Sequence, residues 1–293
     1  MTETNASKRP LFILLAVTLT MAAAGGVGYY IYQQQTPPPQ TATPVVKKTN
    51  TAINTIKTPP VAEALTTLFG VKTSSNQVAN EPDQLSSLWF EQSFSHADKS
   101  FHAVFIKTQS LDSETKEVID SHAAAVNVSI VIYQLINNQW QLFSKQLNVG
   151  EFGSWGDVPG LEKAQILQLS SDNLAFLIDS GFSGQGYTEE GKGLFSFNFN
   201  NKTWKNLGFV QTGGDNEGTC SDHPAPDESF IHACWSFSGE ITLAKTGKNP
   251  DYPDLLVKRR GTTSDDNNKI IPARDQLYTF NGEQYVEPGA EAR

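Results

Sequence analysis

Val126 to Trp140 reads VNVSIVIYQLINNQW, and this stretch decides the fold. Its β-branched run carries no helical period and stops at Asn137-Asn138. Two-residue hairpin turns need positive φ at their central residues, which Asn tolerates well, so the chain is expected to reverse there and return from Gln139-Trp140. Two further segments share the plan. LFSFNF (194–199) meets Asn200-Asn201 and resumes at Lys202-Thr203-Trp204, and LYTF (277–280) meets Asn281-Gly282 and resumes at Glu283-Gln284-Tyr285. The aromatic after each turn is expected to pack beside its cross-strand neighbour. The alternation of Phe195, Phe197 and Phe199 with Ser196, Asn198 and Asn200 predicts one buried and one wet face for that strand.

Working outward, each hairpin is preceded by a short apolar strand and a polar loop. The strands are FHAVFIK (101–107), NLAFLI (173–178) and PDLLVK (253–258); the loops are 108–122, 179–193 and 259–274. The three loops leave equivalent strand ends and are expected to gather on one side of the domain. The unequal spacing of Trp140, Trp204 and Tyr285 points to degenerate duplication of one β unit rather than to a regular short repeat. An all-β domain follows, a propeller-like or sandwich arrangement of hairpin units spanning 85–290. Only VAEALTTLFGV (61–71) reads as a short helix, ended by Gly70, with 71–84 as its connector.

The third unit, from Asp251 to Val257 and from Tyr278 to Tyr285, reads DYPDLLV and then YTFNGEQY. It resembles the FG-GAP and VCBS class of β-propeller repeats. The resemblance implies a propeller blade and, in some members, Ca²⁺ held by loop acids. The FG-GAP signature itself is absent, as is any dense D-x-D-x-D-G run.

The N-terminus sets the expected location. Leu11 to Tyr32 is free of charge, and at ~1.5 Å per residue it is long enough to cross a bilayer core of ~30 Å. Lys8 and Arg9 precede it and no cation follows before Lys47, so residues 1–10 are expected in the cytoplasm and the remainder in the periplasm of a bacterial cell. A single-pass, uncleaved anchor in the inner membrane is the preferred reading; a signal peptide cleaved after Ala24 competes with it. Residues 33–60, rich in Gln, Thr and Pro and free of aromatics, read as a tether. Residues 61–293 hold 17 of the 22 basic and 30 of the 31 acidic residues, a net charge of −13, which excludes a nucleic-acid binder working through bulk positive charge.

Cys220 and Cys234, the only cysteines, are expected to form a disulfide in an oxidising compartment, contributing about 3 kcal/mol by loop entropy. Gly181 to Gly186, GFSGQG, places Gln185 where a nucleophile elbow needs Gly, so it reads as a mobile Gly-rich loop with no nucleophilic Ser183. The histidines show no recognised metal spacing. Asp251, Asp254, Asp265 and Asp266, flanked by Asn and Gly, are the candidate ligands for Ca²⁺, and a zinc site assembled by the fold from two or three histidines is the lesser metal expectation. Trp155 and Tyr187, large aromatics in Gly-rich contexts, are the candidate partner-binding anchors. Together these features predict a non-enzymatic binding protein for an envelope or exported protein, acting as a chaperone, inhibitor, immunity protein or assembly factor. The alternative is a glycan-acting hydrolase using loop carboxylates.

Overall fold

The computed structural model describes residues 56–221, 233–244, 246, 249–265 and 267–287. Among the described residues the chain is all-β apart from one helix, α1 (Val61–Phe69). The strands follow as β1 (Gln77–Glu81), β2 (Gln84–His96), β3 (Lys99–Ser110), β4 (Val126–Ile136), β5 (Gln139–Phe152), β6 (Gln165–Gln168), β7 (Asn173–Gly184), β8 (Tyr187–Asn198) and β9 (Thr203–Asp215). The last five are β10 (Ser236–Leu243), β11 (Leu255–Ser264), β12 (Ile270–Pro272), β13 (Gln276–Phe280) and β14 (Tyr285–Val286). The segment expected as the anchor, 11–32, lies outside the described residues. Among the described residues no helix is long and apolar enough to cross a membrane.

Two antiparallel sheets form. One has the order β1-β2-β3-β4-β5; the other runs β14-β13-β11-β10-β9-β8-β7-β6, with β12 beside β11. The continuous apolar runs of β3, β4 and β7 follow from burial on both faces. Phe101, Ala103 and Phe105 of β3 and Val128, Ile130 and Ile132 of β4 meet Leu174, Phe176 and Ile178 of β7 and Phe195 and Phe197 of β8 in one core. The intervening Val104, Ile106, Val131 and Tyr133 pack under Ala64, Leu65 and Leu68 of α1. On the far side of β7 and β8, Ala175, Leu177 and Leu194 meet Leu255 and Val257 of β11, Tyr278 of β13 and Tyr285 of β14. The longer sheet therefore curls back over its own β7–β8 face.

That curl corrects the expectation at one position: Ser196 is buried where the returning strands cover that face, whereas Asn198 is half-buried and Asn200 is exposed as predicted. α1 is as expected, with Gly70 in the left-handed region at φ 73° ending it. Its connector is shorter than predicted, since β1 lies within it and pairs with β2.

The turns divide. Asn137 and Asn138, both at positive φ, form the expected two-residue reversal between Ile136 and Gln139. After β8 and β13 the loops have four residues. There Asn198 and Asn281 use their side-chain oxygens to accept two backbone N–H groups each, so capping replaces the expected tight turn. The aromatics behave as predicted: Trp204 pairs with Phe197 at 5.1 Å between rings, and Tyr285 with Phe280 at 5.7 Å.

Where sheet layers meet without a common ladder, amide side chains take the place of a strand. Gln146 of β5 accepts the N–H of Trp204 at 2.8 Å and donates to its carbonyl at 3.1 Å. Gln92 of β2 does the same for Ala164 at 2.9 and 3.1 Å. Within one sheet Asn216 extends the β9–β10 pair past Asp215↔Ser236, accepting from Trp235 N–H at 2.8 Å and donating to Ala233 O at 3.0 Å.

Candidate functional site: the projecting β7–β8 hairpin

The segment predicted as the second polar loop, 179–193, is no loop. β7 and β8 pair without interruption from Asn173↔Asn198 to Gly184↔Tyr187, and Gln185 and Gly186 close the turn at φ 55° and 81°. The Gly- and Ser-rich composition conceals this, because ladder hydrogen bonds use backbone groups whatever the side chains. The third expected loop is likewise largely strand, with β11 running to Ser264 and β12 returning beside it. Only 108–122 keeps much irregular chain.

The inward side of β7 continues its alternation past the core. Leu174, Phe176 and Ile178 are covered by the five-stranded sheet, whereas Ser180, Phe182 and Gly184 continue on the same side beyond it. Phe182 is 57% exposed, and Phe209 on β9, which pairs with Gly193, is 39% exposed. Glycines make room for both rings: an added Cβ at Gly184 would stand 2.5 Å from Phe182, and one at Gly191 2.3 Å from Phe209.

The opposite wall is the segment after β5. Gly153, Ser154, Asp157, Val158 and Pro159 face Ser180, Phe182, Glu189 and Phe209 across a groove of about 540 Å³. This wall is well held. Trp89 Nε1 donates to Pro159 O at 2.9 Å, Gln109 donates to Gly156 O at 2.6 Å, Gly156 N donates to Ala124 O at 2.8 Å, and Lys107 pairs with Asp157. A second groove of about 660 Å³ lies on the other face of the hairpin, where Asp179, Gly181, Ser183, Glu190 and Lys192 approach Ser238 and Gly239 of β10.

The predicted anchors both stand at the surface. Trp155, 58% exposed and at φ 56°, belongs to the groove-wall segment and lies 5.9 Å from the His122 ring. Tyr187, 40% exposed, sits at the hairpin tip 6.4 Å from Trp235, which stacks on Phe237 under Arg259. Neither lines the grooves. The tip is fixed from the side: Gly218 N donates to Gly186 O at 3.1 Å, and the Cys220–Cys234 disulfide closes the neighbouring segment.

The three loop regions do gather at one end. Residues 118–124 support the wall, β8 pairs Thr188 with Asp215, Asp215 pairs with Ser236, and Phe237 pairs with Gly261.

The candidate calcium ligands are separated in role. Asp265 accepts backbone N–H groups from Asn267 and Lys269 within its own turn. The backbone of Asp251 accepts from Asn173 Nδ2, and the Asp254 carboxylate accepts from Thr246 at 3.4 Å. Asp266 lies outside the described residues. Among the described residues no group of three or more His, Cys, Asp or Glu stands close enough to hold a metal ion. Among the described residues the Ser183 hydroxyl hydrogen-bonds only with Thr188, at 3.4 Å. His102 is buried against Ser93 Oγ at 2.9 Å with Glu91 3.6 Å away; burial lowers its pKa, outweighing the raising influence of Glu91.

Phe182, Phe209, Glu189 and Pro159 were missed by the sequence reading. The available signal was parity: Phe182 keeps the inward phase of Leu174, Phe176 and Ile178 after the apolar residues end. Compared with known protein families, characterised proteins and solved structures, the chain matches none.

Proposed function

We propose that this chain is a non-enzymatic protein-binding module of the bacterial envelope, held at the inner membrane through residues 11–32 with its β domain in the periplasm. The partner is an envelope or exported protein, and it docks on the groove beside Phe182, with Trp155 and Tyr187 as flanking anchors. One observation carries the reading: the core-facing side of β7–β9 outgrows the sheet that covers it and leaves Phe182 of β7 and Phe209 of β9 exposed on a braced scaffold. Burying such a ring on a partner is worth roughly 1.5–3 kcal/mol, and aromatics on rigid supports are the usual interface anchors.

The disulfide fits an oxidising compartment. A propeller-like reading of the fold, in line with the FG-GAP resemblance of 251–285, is supported over a two-sheet sandwich by the burial of β7–β8 between two further antiparallel layers. Asp157 and Glu189 line one groove, which favours glycan hydrolysis as the second reading. However, Asp157 is already committed to Lys107 and to the Val158 N–H.

The test is crosslinking of the tagged full-length chain in intact envelopes, read by mass spectrometry. A dominant protein partner lost on Phe182→Ala and Phe209→Ala is the expected result. Unchanged capture by both variants overturns the groove as the site. Glycan release abolished by Glu189→Gln establishes the hydrolase instead.

A further inference from the structure

The hairpin that bears the groove also has an open edge. β6 covers β7 only from Leu174 to Leu177, and among the described residues no strand pairs with β7 on that side from Ile178 onward. Because Gly184↔Tyr187 flanks a two-residue turn, the antiparallel alternation aims the N–H and C=O of Asp179, Gly181 and Ser183 outward. Folded proteins usually blunt such an edge with Pro, a bulge, inward charges or a covering segment. From Ser180 to Gly184 this edge carries none of the first three, and its pairing with β8 is free of register shifts.

The two grooves lie on the two faces of this one edge. They share Pro159, Ser180, Gly181, Phe182 and Glu189. Side chains of a strand laid along β7 alternate between faces, so one set enters the groove of Phe182 and Phe209 and the other enters the groove toward Ser238 and Gly239. Charge sorts the occupant. Asp179 is paired with Lys192 and Asp157 with Lys107, whereas Glu189 in the first groove and Glu190 in the second have no ion-pair partner among the described residues. Each face thus presents one uncompensated carboxylate. An added strand would lie two strand spacings from β8, roughly 10 Å, a distance that Lys or Arg and Glu side chains bridge between them.

Resting on the groove reading of the function, we infer that β7 takes an extended segment of its partner as an added strand along Asp179–Gly184. That segment carries adjacent Lys or Arg residues, one for each face, flanked by apolar residues. Backbone hydrogen bonds supply the sequence-independent part of the affinity, and the two grooves supply the selection.

The experiment uses the full-length chain and an array of eight-residue peptides. Each has a central Lys-Lys, Ser-Ser or Glu-Glu pair between Val, Ile or Phe residues. Ser183→Pro removes an outward N–H at an edge position where Pro is tolerated, and Glu189→Lys with Glu190→Lys reverses the local charge. The expected result is binding of the Lys-Lys series at least tenfold tighter than the Glu-Glu series. That preference should reverse in the double variant, and affinity should fall at least tenfold in Ser183→Pro at unchanged Tm. Bound peptide should also slow amide exchange at Asp179, Gly181 and Ser183. If Phe182→Ala weakens the Lys-Lys peptides but Ser183→Pro binds like the wild type, strand addition is overturned while the groove reading stands. If the wild type binds no series, strand addition is overturned; if it binds all three equally, the selection for Lys or Arg is overturned; in either case the crosslinking result alone decides the groove.

Discussion

The inner and outer halves of the β7–β8 hairpin share one register and one alternation, yet they have opposite fates. From Asn173 to Ile178 every β7 residue is buried, pressed between the five-stranded sheet on one side and the returning β11–β14 strands on the other. From Asp179 to Gly184 none is buried. The backbone geometry is the same, so the difference lies in what covers it. Strand pairing is a backbone property, whereas burial depends on whether a neighbouring layer extends as far.

The sharpest way to break this comparison is to truncate matching inward rings. Phe176→Ala, in the sandwiched half, should cost about 3–5 kcal/mol through loss of transfer energy and an unfilled cavity, read by denaturant unfolding. A much smaller loss would mean that the layers there are loose. Next in size is the clamp beside the tip. Cys220→Ser together with Cys234→Ser should lower stability by about 2–4 kcal/mol and speed proteolysis near 216–221, whereas equal cleavage rates would show that the tip holds itself. Gln146→Leu keeps the volume but orphans the N–H and C=O of Trp204, for an expected loss of about 1–3 kcal/mol. A neutral result would mean that water replaces the amide.

Acidification probes the α1-covered face. His102 has its pKa lowered by burial, so the unfolded chain takes up the proton first, near the ordinary value of about 6.5. Its contribution is therefore complete above that pH and declines below it. Tm should fall on acidification below pH ~6.5, and less steeply in His102→Gln; identical slopes would remove His102 as the cause. The smallest effect belongs to the outer half, where Phe182→Ala should change stability by less than ~0.5 kcal/mol. A core-sized loss there would mean that the ring is part of the fold and is not displayed for a partner.

Much of the architecture was readable in the residues. Apolar alternation, Asn-rich turns and the aromatic after each turn identify the hairpins, and Gly70 ends the helix where expected. The curl of the longer sheet was not readable, because Ser196 looks solvent-facing until strands some sixty residues later close over it. The site was half legible. Trp155 and Tyr187 stand out as aromatics among glycines, but Phe182 sits in GFSGQG, whose composition reads as a mobile loop. Gly and Ser erase the side-chain signal of a strand without weakening its ladder, and the length of a neighbouring sheet is encoded elsewhere in the chain.

The amides that stand in for strand hydrogen bonds give the molecule a chemical clock. Gln92 and Gln146 each hold a backbone donor and acceptor at a seam between layers, and Asn216 does so at the end of the β9–β10 ladder. Spontaneous hydrolysis converts such an amide into a carboxylate, exchanging its donor for a second acceptor turned toward a carbonyl oxygen. Age alone would then loosen these joints, beginning at Asn216 beside the disulfide because asparagine hydrolyses faster than glutamine, and peptide mass mapping of stored protein would record the order in which they give way.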